Sequence, residues 1–365
     1  MPVNVTLADT SNGLLLTTLI LYALAMLCYA SDFAFARHRV MADVNDAAAT
    51  VAVPELVTAP ELVTAGAGGP SLPASAVSAS AVSATAGPSA AVVASPPGGR
   101  NADDAPASRW PSGFWLRLAF GLTCTGLTLH IFAVLTRGLA EHRVPWGNMY
   151  EFIGAFTCMA VLVLVVFSVW YRAYYMGLFV LLPVVLGLGI DLTWIYTPAG
   201  SLVPALQSYW IAIHVTAMIV AIGLFLVGAV VNVMYLIADR NERRLAAGLP
   251  SRTEGLMIHL PGTTVLDRLA YRTILFAFPV WTFGVIAGAI WADHAWGRYW
   301  GWDPKETWSF ITWIVYAGYL HARATGGWRG RRAAFIQLVG FGCLLFNVIG
   351  INLWVTGLHS YAGMG

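Results

Sequence analysis

Apolar residues run along the chain in eight blocks, at 12–34, 114–136, 149–171, 174–196, 209–237, 271–292, 306–325 and 333–356. A helix crosses the hydrocarbon core of a bilayer with about 20 mostly apolar residues. Backbone groups have no water to bond inside lipid, so such blocks cross as helices rather than open strands. The expected fold is all-α, a polytopic membrane bundle of about eight transmembrane helices. The first block has a polar start and no basic lead, so it reads as a span, not a cleaved signal. The thinnest division is Tyr171–Arg172–Ala173, between the third and fourth spans. Residues 45–112 are rich in Ala, Val, Ser, Pro and Gly and carry no helical period, as expected of a disordered linker. The expected organisation is therefore a first helix within 1–44, a linker over 45–112 and a seven-helix unit over 113–365.

Composition agrees with a membrane solvent. The chain is 58% hydrophobic and 10% charged, where soluble domains carry about 25% charged residues. A net charge of +2 gives no ground for nucleic-acid binding. The positions of the cations say more. With the N-terminus outside, only Arg137, Arg143, Arg298 and Lys305 of the 20 Lys and Arg fall on the outer side. Cytoplasmic loops are the ones enriched in these residues, so both termini are expected outside and the linker in the cytoplasm. The outer loops are then 137–148, 197–208 and 293–305, joined by the tail 357–365. Cys28, Cys124, Cys158 and Cys343 all lie in apolar runs without a C-x-x-C pair, which argues against dithiol chemistry by this chain.

The third outer loop reads Trp296-Gly297-Arg298-Tyr299-Trp300-Gly301-Trp302-Asp303-Pro304-Lys305-Glu306-Thr307-Trp308. Interfacial belts also use Trp, but they scatter it over many helices. Here six Trp fall between 291 and 313, with Gly297 and Gly301 among them. Glycine lets a ligand approach the backbone and indole faces offer broad apolar area. Together they suit a planar aromatic ligand such as a porphyrin. Asp303, Pro304 and Glu306 occupy the N-cap, N1 and N3 positions of a capping box, which gives both acids a structural role. Arg298 and Lys305 suit either carboxylates of such a ligand or lipid phosphates.

Haem iron takes axial imidazoles. His214 lies about one turn inside span five, and His359 just past the outer end of span eight. Both fall at the depth of the Trp loop, as a bis-histidine site requires. His294 is a rival by proximity, or a residue that caps span six. His321 lies in the inner half of span seven, where an ionisable residue marks either a function or a hydrogen bond to a neighbouring helix. His130 sits in the outer half of span two, offset from His321 by about 15 Å of helical rise, so the two make poor partners for one iron. His38, His142 and His259 are in loops and receive no role.

The segment WGRYWGWDPKETW at 296–308 closely resembles the WWD signature of the haem-handling proteins of cytochrome c biogenesis. PWGNMYE at 145–151 resembles that family's first outer loop. PALQSYWIAIHV at 204–215 and GLHSYAG at 357–363 are similar to the segments with its two external haem-ligand histidines, which map to His214 and His359. YLHAR at 319–323 places His321 where the family has a transmembrane haem histidine. Length and span number resemble the CcsA/ResC type of the type II (Ccs/Res) system; the linker is not part of that pattern.

The resemblance implies haem b as cofactor. It implies iron ligation by His214 and His359, with His321 as a transit ligand, and contacts from Trp296, Gly297, Trp300, Gly301, Trp302, Asp303 and Trp308. It also implies haem export and presentation for covalent attachment to apocytochrome c. The expected activity is that of a haem lyase or holocytochrome c synthase subunit in the bacterial cell membrane, acting with a CcsB/ResB-type membrane protein and a thioredoxin-like thiol reductant among membrane lipids. Two other classes are a b-type electron-transfer cytochrome, which the mismatch of His130 and His321 opposes, and a transporter of another planar solute without attachment activity.

Overall fold

The computed structural model describes residues 3–51, 111, 113–200, 202, 204–251 and 260–359. The chain divides into two units, Met1–Met41 with Arg109–Gly365, and Ala42–Ser108. Of the second unit only residues 42–51 are described, as the end of the first helix. The remainder of the expected linker lies outside the described residues, apart from Pro111. His259 and the end of the tail, 360–365, also lie outside them.

Every expected span contains a helix, and no strand occurs among the described residues. The helices are α1 (Val5–Val51), α2 (Phe114–Glu141), α3 (Met149–Tyr171), α4 (Gly177–Trp194), α5 (Tyr209–Ala246), α6 (Thr263–Trp296), α7 (Pro304–Ala324) and α8 (Arg331–Leu345). A π-helical segment Phe346–Gly350 and a last turn Ile351–Trp354 prolong α8. Seven of these are long and apolar enough to cross a membrane. The eighth, α7, has 21 residues, about 31 Å at 1.5 Å per residue. Lys305, Glu306, His321 and Arg323 dilute its apolar character.

Helix ends depart from the apolar blocks where polar residues continue the helical register. α1 runs on through Ala47–Ala49, strong helix formers. α5 passes residue 237 on polar turns that include an Asp239–Arg243 pair at 3.1 Å. α6 starts before residue 271 with a turn whose Asp267 binds Arg323 of α7. The thin division after Tyr171 is real: Arg172 adopts φ 55, closing α3, and a 3-10 turn at Tyr174–Met176 leads into α4.

α5 and α6 share the most extensive contact, and α5 also packs on α3 and α8. One apolar cluster joins α1 to α5 around Tyr22, Tyr29, Leu164, Leu181 and Val231. A second joins α5 to α8, where Phe225 stacks on Tyr316 at 4.0 Å beneath Trp281. Interiors this dense leave no room for an added methyl. A Cβ at Gly177 would overlap the ring of Tyr29, whereas one at Gly189 would meet nothing within 4 Å. Gly177→Ala should therefore destabilise the bundle by about 1–3 kcal/mol, seen as a lower unfolding midpoint in detergent. Gly189→Ala should not lower it; equal effects would contradict this packing.

Candidate functional site

The loop between α6 and α7 is fixed by its own acids. Asp303 caps α7, accepting from the Lys305 N–H at 3.3 Å, and Glu306 completes the capping box. One Glu306 oxygen accepts from the N–H groups of Gly301 at 2.8 Å and Asp303 at 3.1 Å. Asp303 does more than cap. Its carboxylate also accepts from the Leu358 N–H at 2.7 Å and from His359 Nδ1 at 2.8 Å. Burial alone would raise this carboxyl, but the bonds from His359 and Leu358 outweigh it and hold it below its ordinary value.

The loop stands beside a cavity of about 180 Å³ lined by both His214 and His359. His214 Nδ1 lies 2.7 Å from the Gly284 carbonyl oxygen, which can only accept, so Nδ1 carries the proton. Asp303 fixes the same tautomer on His359. No described group bonds Nε2 of either ring, so each presents an available lone pair. The Trp291 ring meets both, 6.0 Å from His214 at 6° and 5.5 Å from His359 at 62°. Its indole N–H donates to the Ala205 carbonyl at 3.1 Å, which ties the 204–206 turn to α6. A Cβ at Gly288 would come within 2.7 Å of the His214 ring, so glycine there makes room for the imidazole.

The opposite wall is made by α3, α7 and the end of α8. The π-helical segment brings Asn347 to the cavity, where it donates to Ser309 at 2.9 Å. Lys305 reaches the cavity and donates to Asn352 at 3.0 Å. Residues 146–149 form part of the same wall, held by a buried cluster of four charges. Arg137 meets Glu141 at 3.2 Å and Glu151 at 3.3 Å, while Arg143 meets them at 2.7 and 2.8 Å. Glu151 also accepts from the Gly147 N–H at 2.8 Å, and Asn148 caps α3. Guanidiniums carry the cluster on to loop 197–200 through Thr197 at 2.8 Å.

The structure thus gathers His214, His359, Trp300 and Lys305 around one cavity. Trp296 stands behind them, 4.8 Å from Trp291 and 5.0 Å from His359. Trp302 is exposed with φ 58 and meets Trp300 edge-on. Trp308 packs on Phe346 at 4.3 Å, away from the cavity lining. Gly297 ends α6 with φ 72, and Gly301 lies under the Arg298 guanidinium. Lys305 therefore faces the cavity and Arg298 does not line it. His294 is exposed in the last turn of α6, outside the lining. His321 is exposed on α7, and His130 is buried 3.4 Å from the Tyr22 hydroxyl, so neither joins this site.

Residues not anticipated from sequence include Asn347, Asn352, Ser309 and Gly288. The Asn pair in an otherwise apolar span was the available signal. The charge cluster was visible as Arg137 and Glu141 one turn apart, with Arg143 and Glu151 following.

Fold and site together define a polytopic helical membrane protein with two imidazoles converging on an aromatic cavity. Residues 146–359, more than half of the chain, match the model of the cytochrome C assembly protein family, and the chain belongs to that family. Curated relatives bear the name cytochrome c biogenesis protein CcsA. The one from Guillardia theta is 35% identical over 66% of this chain and 83% of its own. That from Gloeobacter violaceus is 35% identical over 68% and 90%. That from Synechococcus elongatus is 42% identical over 45% and 61%.

Asp303 gives a direct test of the geometry. Removing an N-cap acid costs about 0.5–2 kcal/mol, and Asp303→Ala also releases Leu358 and His359. Hydrogen exchange should show the Leu358 amide unprotected in that variant; unchanged protection would refute the anchor. Because the folded carboxyl lies below its ordinary 3.8, its stabilisation is full above that pH and fades only below it. The same loosening should thus appear in the unaltered protein only in acid beyond that point.

Proposed function

We propose that the protein holds haem b between His214 and His359 at the outer face of a bacterial cell membrane and presents it to apocytochrome c for covalent attachment. The observation that carries this reading is the pair of Nδ1-anchored imidazoles on one cavity, each with Nε2 unbonded. Haem supplies an iron that takes two axial imidazoles and vinyl groups to which the two thiols of an apocytochrome add.

The chain's own residues position and shield. The Gly284 carbonyl and the Asp303 carboxylate set the tautomers and raise the basicity of the two rings. Trp291 and Trp300 offer apolar faces, and Lys305, steadied by Asn352, offers a cation to a carboxylate. Trp296, Gly297, Gly301, Trp302, Asp303 and Trp308 build the platform rather than ligate the iron. Small-molecule pockets enclose about 300–1,000 Å³, more than the 180 Å³ here. A porphyrin therefore needs movement of wall side chains, and exposed Tyr299 and half-buried Trp300 at the rim are placed to give it.

The distribution of Arg supports outer placement of this end and of both termini. On that orientation the linker 45–112 is a cytoplasmic connector between a first helix and a seven-helix haem-handling unit. His321 is open to a second membrane protein on the surface of α7. We assign it the transit role, with a CcsB/ResB-type partner completing that site and sharing the attachment activity. None of the four cysteines is paired, and all lie within helices, so thiol reduction falls to a separate thioredoxin-like protein.

His214→Gly with His359→Gly, in a reconstituted system with the partner, should abolish the bis-imidazole absorption spectrum and reduce holocytochrome yield to background. Full haem occupancy and normal yield in that variant would overturn the assignment.

A further inference from the structure

A second cavity, about 550 Å³ in volume, lies at the end of the bundle opposite the Trp loop, where α6 begins and α7 ends. Its described walls are mainly polar and include Thr264, Asp267 and three arginines, Arg268, Arg323 and Arg329. Arg323 and Asp267 neutralise each other through two bonds of 2.8 and 2.9 Å. The Arg323 guanidinium also covers the Tyr271 ring, 4.5 Å from its centroid. The Gly330 N–H donates to Asp267 at 3.4 Å, which ties the first turns of α6 to the segment leading into α8. Arg268 and Arg329, each next in sequence to one end of that tie, carry the positive charge that remains.

Both arginines are exposed, and neither has an ion-pair or hydrogen-bond partner among the described residues. Thr264 adds a donor. The N–H groups in the first turn of a helix have no acceptor within it. Here the Thr263 N–H donates to Glu242 at 3.3 Å and the Val265 N–H to the Gly262 carbonyl at 3.0 Å. The Thr264 N–H between them has no acceptor among the described residues. The face of α6 that carries Arg268 continues with exposed Leu275, Phe276, Phe283 and Ile286, all on one helical stripe. From Phe276 to Ile286 the helix rises about 15 Å, half of a hydrocarbon core of about 30 Å.

We propose that this end of α6 is a docking site for an anionic phospholipid. Its headgroup phosphate would sit in the cavity on Arg268, Arg329 and the Thr264 N–H, and its acyl chains along the stripe from Leu275 to Ile286. Docking needs a membrane and no haem, so it stands apart from the reading above. The volume falls in the range of about 300–1,000 Å³ that small-molecule sites occupy. A phosphate diester has oxygens for both guanidiniums and bonds each with charge assistance. A zwitterionic headgroup brings a cation of its own, which the surplus positive charge opposes. Basic pockets between transmembrane helices take acidic headgroups by this logic. A free phosphate would find the same donors, and the apolar stripe is what favours the lipid. The bound headgroup would bridge the start of α6 to the approach to α8, adding to the single link through Asp267.

The test titrates the full chain, delipidated in detergent, with dioleoyl phosphatidylglycerol and reads bound lipid by native mass spectrometry. Phosphatidylglycerol should bind at least about tenfold more tightly than dioleoyl phosphatidylcholine. That preference should fall at least about tenfold in Arg268→Gln with Arg329→Gln and return in part in Arg268→Lys with Arg329→Lys. Arg240→Gln with Arg243→Gln removes the same charge from the exposed end of α5 and should leave it unchanged. Equal binding of the two lipids, no loss in the cavity variant, or an equal loss in the α5 variant overturns the proposal. Inorganic phosphate and dihexanoyl phosphatidylglycerol, each in tenfold excess, should not displace the long-chain lipid. Displacement by inorganic phosphate overturns the lipid assignment in favour of a free phosphate, and displacement by the short-chain lipid overturns the role of the stripe. The lipid comparison and both competitions use the unaltered chain, so they decide even where a variant fails to fold.

Discussion

The Asp303 carboxylate is the point on which the site depends. It caps α7, and so decides where the Trp loop stops and a helix starts. It also accepts from Leu358 and His359, 55 and 56 residues further along the chain. One side chain therefore locks the entry of α7, the exit of α8 and the orientation of an imidazole. An ionised carboxylate has about four acceptor positions, and this arrangement uses them on the N–H groups of Lys305, Glu306 and Leu358 and on His359. A neutral cap such as Ser could start the helix, but could not hold the histidine with a charge-assisted bond.

Around that anchor the Trp-loop end of the bundle is stiffened by polar contacts rather than by apolar area. Arg137, Arg143, Glu141 and Glu151 are nearly inaccessible and mutually paired. Burying charges is costly, and removing one member of such a group costs about 3–5 kcal/mol because the rest stay buried. The cluster is thus weak as a source of stability and strong as a source of geometry. It fixes loop 143–149 against loop 197–200 and sets Trp146 to Met149 against the cavity. The same bundle is ordinary in its middle, where Tyr22, Tyr29, Phe225 and Tyr316 fill space between helices that approach at glycines.

The spans were legible because lipid imposes a single rule on every crossing segment, and runs of apolar residues report it directly. Helix ends were less legible, since α5 and α6 continue on charged turns that an apolar run cannot register. The capping box was readable because Asp303, Pro304 and Glu306 interact within one turn. The bond from Asp303 to His359 was not, because nothing local links residues so far apart in sequence. The same reason hid Gly288, whose role is to leave space for His214 on another helix. Depth along the membrane normal did place His214 and His359 together. It could not tell that Trp308 and Arg298 turn away from the cavity, since facing is set by packing and not by depth.

The two imidazoles are held in unlike ways, and the difference follows from where each sits in the fold. His214 is inside the 38-residue α5 and leans on the backbone carbonyl of another long helix. Neither support titrates, and moving the ring means moving a helix. His359 follows the last turn of the bundle, Ile351–Trp354, in a short non-helical segment. Its polar hold is the Asp303 carboxylate, which also takes the neighbouring Leu358 amide, and Trp291 and Trp296 meet its ring edge-on. Under the proposed function, a site that accepts a ligand and later surrenders it needs one fixed and one exchangeable contact. Of the two rings, the one on the tail can leave while the bundle stays intact. The Trp platform then serves a separate purpose. Trp291 contacts both rings, so its plane stays in place whichever imidazole is engaged.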